Sequence, residues 1–219
     1  MATVSETLVP VWTASEVIAH FGDIPIARIR TTPPPGKATE ADVIALYERH
    51  KLLCELIDGT LVEKTMGWQE SYLAVWIGTL LNNFVRPNKL GKVFGADGML
   101  RLEPEQIRIP DVSFISKQRF AGRTVTPSAF WDLGCDLAVE VISPSNTRRE
   151  MELKLTDYFS AGVQIVWLVY PKTREVVVYT SPGKSATMRG DDLLEGGALL
   201  PGFNVAVGQI FDEWDQTQA

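Results

Sequence analysis

Several chemistries lack their raw material in this chain. It has two histidines and two cysteines in 219 residues. A Ser-His-Asp or Cys-His site would have to rest on His20 or His50, each remote from any partner. Cys54 and Cys135 are far apart and both adjoin strand-like apolar runs, which fits reduced buried thiols and a cytoplasmic setting, not a disulfide framework or a zinc site. Long hydrophobic runs are missing too. Nothing approaches the roughly 18 uninterrupted apolar residues of a membrane span, and the opening "MATVSETLVPVW" lacks the basic-then-apolar order of an export signal. Neither membrane insertion nor export is expected. Basic excess is also lacking. With 21 Lys and Arg against 27 Asp and Glu the formal charge is −6, so the chain as a whole repels phosphate. Any nucleic-acid contact must then come from a local patch. The triplet "GKS" at 183–185 mimics the end of a phosphate-binding loop, but the earlier glycine would fall at Val178, so it reads as a turn.

What remains is an ordinary globular composition, 45% hydrophobic and 22% charged, enough for one sizeable core. Residues 1–38 end in the proline-rich "TTPPPGKATEAD" and read as an N-terminal arm, with Thr39 as the N-cap of a helix through "EADVIALYERH". "LLCELIDGTLVEK" then alternates on both sides of Asp58-Gly59, a strong hairpin signal, and a helix is expected from about 68 to 85. "GKVFGADGMLRLE" repeats the hairpin pattern around Asp97-Gly98, and "QIRIPDVSFIS" reads as one strand entered through Pro110. After a loop containing Pro127 come the strand of "DLAVEVISPS", a helix over about 148–161, and two strands in "VQIVWLVY" and "REVVVYT".

The run 137–142 is apolar except for Glu140. A strand of this kind is usually covered on both faces, and an ionised carboxylate inside it costs several kcal/mol unless it is paired or metal-bound. Three residues are candidates to share its site. Glu70 falls on the apolar stripe of the 68–85 helix formed by Leu73, Ala74, Ile77, Leu81 and Phe84; it either points inward to a site or complements the helix dipole at a solvated end. Asp111 stands at a strand start, where a short acid can equally bind a loop amide. Lys154 lies at the margin of the face built by Met151, Leu155, Tyr158 and Gly162. Its stem can pack inward with the ammonium near Glu140, or it can pair along the helix with Glu150 or Asp157. Glu150, three residues after Thr147, has capping-box spacing and reads as structural.

An acid on a first helix, "PD" at a strand start, a later strand carrying "E" and a nearby lysine together resemble the PD-(D/E)XK nuclease superfamily. Within it, "IPDVSFI", "DLAVEVISPSNTRREMELKLTDYFSAGV" and "VWLVYP" are similar to the Uma-two family of restriction-endonuclease-like bacterial proteins, over about residues 53–211. The resemblance implies an α+β fold: a mixed β-sheet flanked by helices, with extra N-terminal hairpin strands, as one restriction-endonuclease-like domain over 39–219. It implies that Asp111 and Glu140, with Glu70 as the first-helix acid, are metal ligands, and that Lys154 is a catalytic lysine displaced from the usual place two residues after the glutamate, which is Ile142 here.

Oxygen ligands without His or Cys favour Mg²⁺ or Mn²⁺, and such an ion lowers the pKa of bound water and polarises a scissile phosphate. Lys154 would stabilise charge developing on phosphate oxygen. Arg148 and Arg149, opening the same helix, suit DNA phosphate contact, and Arg101, Arg108, Lys117, Arg119 and Arg123 could line a basic groove. The expected function is a metal-dependent DNA endonuclease, working as a homodimer because double-strand cutting usually needs two sites. The alternative is a non-catalytic nucleic-acid-binding or dimerisation module on the same fold.

Overall fold

The computed structural model describes residues 11–123, 130–132 and 134–216. The expected loop around Pro127 lies outside them. In chain order the elements are α1 (Ala14–Phe21), a 3₁₀ turn (Ile26–Arg28), α2 (Glu40–His50), β1 (Cys54–Ile57), β2 (Thr60–Glu63), α3 (Trp68–Val85), β3 (Gly91–Phe94), β4 (Leu100–Glu103), β5 (Gln106–Arg108), β6 (Val112–Ser116), the one-turn α4 (Lys117–Phe120), β7 (Leu137–Val141), α5 (Arg148–Ser160), β8 (Ile165–Tyr170), β9 (Glu175–Ser181), β10 (Lys184–Arg189), β11 (Leu193–Gly196), β12 (Leu200–Ala206) and α6 (Val207–Gln216).

The strands form a mixed six-stranded sheet in the order β10-β9-β8-β7-β6-β3, a four-stranded sheet β2-β1-β5-β4 and the pair β11-β12. Only β7 and β8 run parallel in the large sheet. The connection between them is α5, since a parallel pair needs a crossover that a tight turn cannot supply. Alternation along β7 sorts its side chains between two layers. Leu137, Val139 and Val141 pack with α3 and α6, whereas Ala138 joins Met151, Leu155 and Tyr158 of α5 on the other face. Glu140 therefore points to the α5 side.

Local chemistry explains most of the elements. Thr39 and Asp42 form a capping box that starts α2. Asp58 and Gly59 take φ of 46° and 68°, the left-handed pair of a tight hairpin turn between β1 and β2. "GKS" lies at the β9–β10 turn and its edge, and α3 spans 68–85 with Leu73, Ala74, Ile77 and Leu81 buried. Two expectations fail. The segment around Asp97-Gly98 is not a hairpin, because β3 pairs with β6 and β4 with β5. "QIRIPDVSFIS" is not one strand either. It divides into β5 and β6, which belong to different sheets, and Ile109, Pro110 and Asp111 carry the chain across. Proline has no N–H for a ladder, so the break falls where pairing would lose a bond anyway. Asp111 consequently sits where the two sheets meet.

The described part of the arm packs on the first hairpin. Val17, Phe21, Ile24 and Ile29 form a buried cluster with Ile57 and Val62, and Ile29 bridges to Val62. Among the described residues no helix is long and apolar enough to cross a membrane.

Candidate active site

The β6–β7 register determines the central pair. Val112 faces Val139 at the end of the pairing, and Asp111, the residue before β6, donates its amide to the Val139 carbonyl at 3.0 Å, so its carboxylate and that of Glu140 enter one cavity. Like charges in one cavity repel, and burial sharpens the repulsion. Asp111 and Glu140 are only 5% and 4% exposed. Their stability has to come from cations, and two lysines supply it.

Lys154 Nζ lies 2.9 Å from Glu140 Oε2 and 3.1 Å from Glu55 Oε1. It thus joins the large sheet to the small one from α5. One helical turn later, the Tyr158 hydroxyl donates to Glu140 Oε1 at 2.5 Å, so both Glu140 oxygens are held from one face of α5. Lys64, just past β2, donates to Asp111 Oδ1 at 2.7 Å and to the Ile109 carbonyl. The second oxygen, Asp111 Oδ2, accepts the Val141 amide at 2.7 Å. Glu55 accepts the Ile109 amide at 3.0 Å and Arg108 Nη1 at 2.8 Å, and Arg108 also binds Asp157. The bond to Arg108 follows from register: Leu56 faces Ile107, so Glu55 faces Arg108.

Three central acids share two lysines, and the electrostatics follow. Burial drives the Glu140 carboxyl above its ordinary value; the Lys154 ammonium opposes the shift and the Asp111 charge adds to it. Burial would also raise Glu55, but Lys154 and Arg108 outweigh it and hold that carboxyl far below the usual range. Lys154, desolvated yet facing Glu140 and Glu55, is held above an ordinary lysine and stays protonated.

Four of the expected site residues come together. Glu70 is 7% exposed, and with Asp111, Glu140 and Lys154 it lines a single cavity, joined there by Glu55 and Lys64. Lys154 makes neither of the surface pairings open to it: Glu150 binds Arg28 and Asp157 binds Arg108. Thr147 caps α5 through the Glu150 amide, while the Glu150 carboxylate turns to Arg28 instead of closing a capping box. Ile142 gives its amide to Val169 and contributes no charge. Arg148 is exposed and pairs with Glu152, while Arg149 donates to the His20 carbonyl of the arm; neither lines the acid cavity. Three of the five residues expected to line a basic groove are paired with acids. Arg108 is fully buried between Glu55 and Asp157, Arg101 pairs with Glu40 and Asp132, and Arg119 with Asp136.

Glu55 and Lys64 are additions to the expected set. Glu55 carries the same signal as Glu140, a lone acid inside an apolar run, in "LLCELI". Lys64 carries no signal, because a lysine after a strand is ordinary until the sheet crossing at Ile109 is placed beside it.

Could these residues hold a metal? All the donors are hard oxygens, which suits Mg²⁺ or Mn²⁺. Glu70 makes no ion pair among the described residues. Yet no group of three or more His, Cys, Asp or Glu side chains among the described residues is arranged to hold an ion, since Asp111 and Glu140 are turned to Lys64 and Lys154. The donor chemistry fits; the acids would have to turn from their lysines to use it.

Fold and site together define a restriction-endonuclease-like α+β protein with a buried acid–lysine cluster. Residues 41–208 match the family described as "Uma2: Putative restriction endonuclease", and the chain belongs to that family. It is similar to a crystal structure described as a "putative nuclease belonging to DUF820" from Anabaena variabilis ATCC 29413, with a TM-score of 0.66 at 18% identity, covering 73% of this chain and 90% of that one. At that identity the likeness is one of fold. A search of curated proteins finds no match.

Proposed function

We propose that this protein is a divalent-metal-dependent endonuclease that hydrolyses phosphodiester bonds in DNA, using a PD-(D/E)XK-type site of Asp111, Glu140, Glu70 and Lys154. The observation that carries this reading is that Asp111 and Glu140 meet in one buried cavity with Lys154 bonded to the latter. Family membership and the nuclease-like fold support it.

A bound Mg²⁺ or Mn²⁺ would polarise the scissile phosphate and activate water. Asp111, Glu140 and Glu70 would hold it. Lys154, kept protonated by its two carboxylates, would stabilise charge developing on a phosphate oxygen. Substrate would approach through a neighbouring cavity of about 480 Å³ that lies between α3 and the β3–β4 segment and has Asp111 in its wall. Arg148 and Arg149 would contact DNA phosphates beyond the cavity, and a cytoplasmic homodimer would bring two sites to one duplex.

One observation favours a second reading, a nucleic-acid-binding or dimerisation module without catalysis: both central acids are already satisfied by lysines. Mn²⁺ separates the two. Under the nuclease reading Mn²⁺ raises the melting temperature and supports nicking of supercoiled plasmid, and Asp111→Ala abolishes both. A wild-type chain that neither gains stability from Mn²⁺ nor nicks would leave the non-catalytic module standing.

A further inference from the structure

The cluster holds one cation more than a displaced-lysine nuclease site needs. We propose that Lys64 is a resident placeholder on Asp111, which a single divalent ion must displace on entering the site. The proposal rests on the metal-dependent reading above and adds to it a competitor and a stoichiometry.

Three observations carry it. Lys64 Nζ occupies the oxygen of Asp111 that is not bound to the Val141 amide, at 2.7 Å, with its side chain only 8% exposed. Its remaining partner is the Ile109 carbonyl, so the ammonium is gripped by the oxygens of the sheet crossing, which are hard donors of the type a divalent ion would use. Lys64 is also the less firmly held of the two lysines, because it faces one carboxylate and one carbonyl while Lys154 faces two carboxylates. An incoming ion displaces the weaker cation at lower cost.

Formal charge favours the exchange. Glu55, Glu70, Asp111 and Glu140 contribute four negative charges to the cavity, and Lys64 and Lys154 two positive ones, leaving −2. Arg108 with Asp157 and Arg28 with Glu150 cancel around it. Exchanging Lys64 for one divalent ion takes the cavity from −2 to −1. Without metal, Lys64 neutralises Asp111 beside Glu140; with Lys64 removed the cavity would carry −3 and attract the ion more strongly.

The test is Mn²⁺ titration of the full chain by electron paramagnetic resonance, for wild type, Lys64→Met and Lys64→Gln. One ion per chain is expected in each, with at least tenfold tighter binding in the variants. In parallel, wild-type Lys64 is labelled with an amine-reactive ester and quantified by mass spectrometry. Labelling should be slow without metal and rise along the Mn²⁺ binding curve. If the variants do not fold, this labelling decides alone. Wild-type Mn²⁺ binding with no gain in the variants, or with Lys64 labelling unchanged by metal, overturns the placeholder and leaves the nuclease reading intact. Absence of Mn²⁺ binding in wild type and variants alike overturns both.

Discussion

Lys154 shows how burial changes what a single residue is worth. On an exposed helix face its replacement would cost at most about 0.5 kcal/mol. Here it is 4% exposed and neutralises Glu55 and Glu140 at once, and stripping one partner from a buried pair costs about 3–5 kcal/mol. Lys154→Met is therefore expected to lower stability by about 3 kcal/mol or more, read from urea unfolding at pH 7. A loss under 1 kcal/mol would mean that the two acids find other partners. Activity of this variant must be measured on the folded fraction, where a hundredfold fall in nicking is expected. Tyr158→Phe is the milder probe. It leaves the Glu140 oxygen without its hydroxyl donor, with an expected loss of about 1–3 kcal/mol by the same unfolding measurement.

At the level of elements, the β1–β2 hairpin does more than join two strands, because its ends deliver Glu55 and Lys64 to the site. Its turn is correspondingly intolerant. Gly59 has φ of 68°, and a Cβ there would lie 2.6 Å from the backbone carbon of Gly36 in the arm. Gly59→Ala should cost more than the roughly 1 kcal/mol of a left-handed non-glycine residue, since backbone as well as side chain must move. Differential scanning calorimetry would read it, and an unchanged melting temperature would show that the arm can lift from the turn. α5 has a similar double role. Its buried face presents Glu150, Met151, Lys154, Leu155 and Tyr158, so the packing stripe and the polar grip on Glu140 are one surface.

Across the whole molecule, Arg28 of the arm and Glu150 of α5 form a two-pronged pair at 2.7 and 3.1 Å, tying the described part of the arm to the central crossover. Burial disfavours the Glu150 charge, but the Arg28 hydrogen bonds and the Lys154 and Arg28 charges outweigh it and hold the carboxyl below its ordinary value. A depressed acid contributes stability that is present above the unfolded value, near 4.5, and is lost as pH falls through the folded one. Glu150→Gln should therefore reduce stability at pH 7 by about 3 kcal/mol, because Arg28 is left buried, and should flatten the fall in stability below about pH 4.5. Melting curves from pH 3 to 7 test both parts, and an acid limb as steep as wild type would remove Glu150 as its source.

Much of this protein was determined along the chain itself. Periodicity placed α3 and α5, Asp58-Gly59 marked the first hairpin, and Glu140 announced a buried charge because one acid in an apolar strand has no local solution. The family resemblance named Asp111 and Lys154, and the tertiary structure brought both to Glu140. Other features belong to the tertiary structure alone. The false hairpin at Asp97-Gly98 has the right residues, but a turn signal cannot say which strands will pair, and the sheet gave β3 to β6 and β4 to β5. Arg108 left the expected basic cluster for a related reason: linear proximity carries no information about which cation meets which acid, and register set Arg108 against Glu55. Lys64 became part of the site only when the chain crossed from one sheet to the other at Ile109–Asp111, putting a carbonyl and a carboxylate against the end of β2. Local patterns report what a residue needs; only the meeting of two sheets decides which distant residue supplies it.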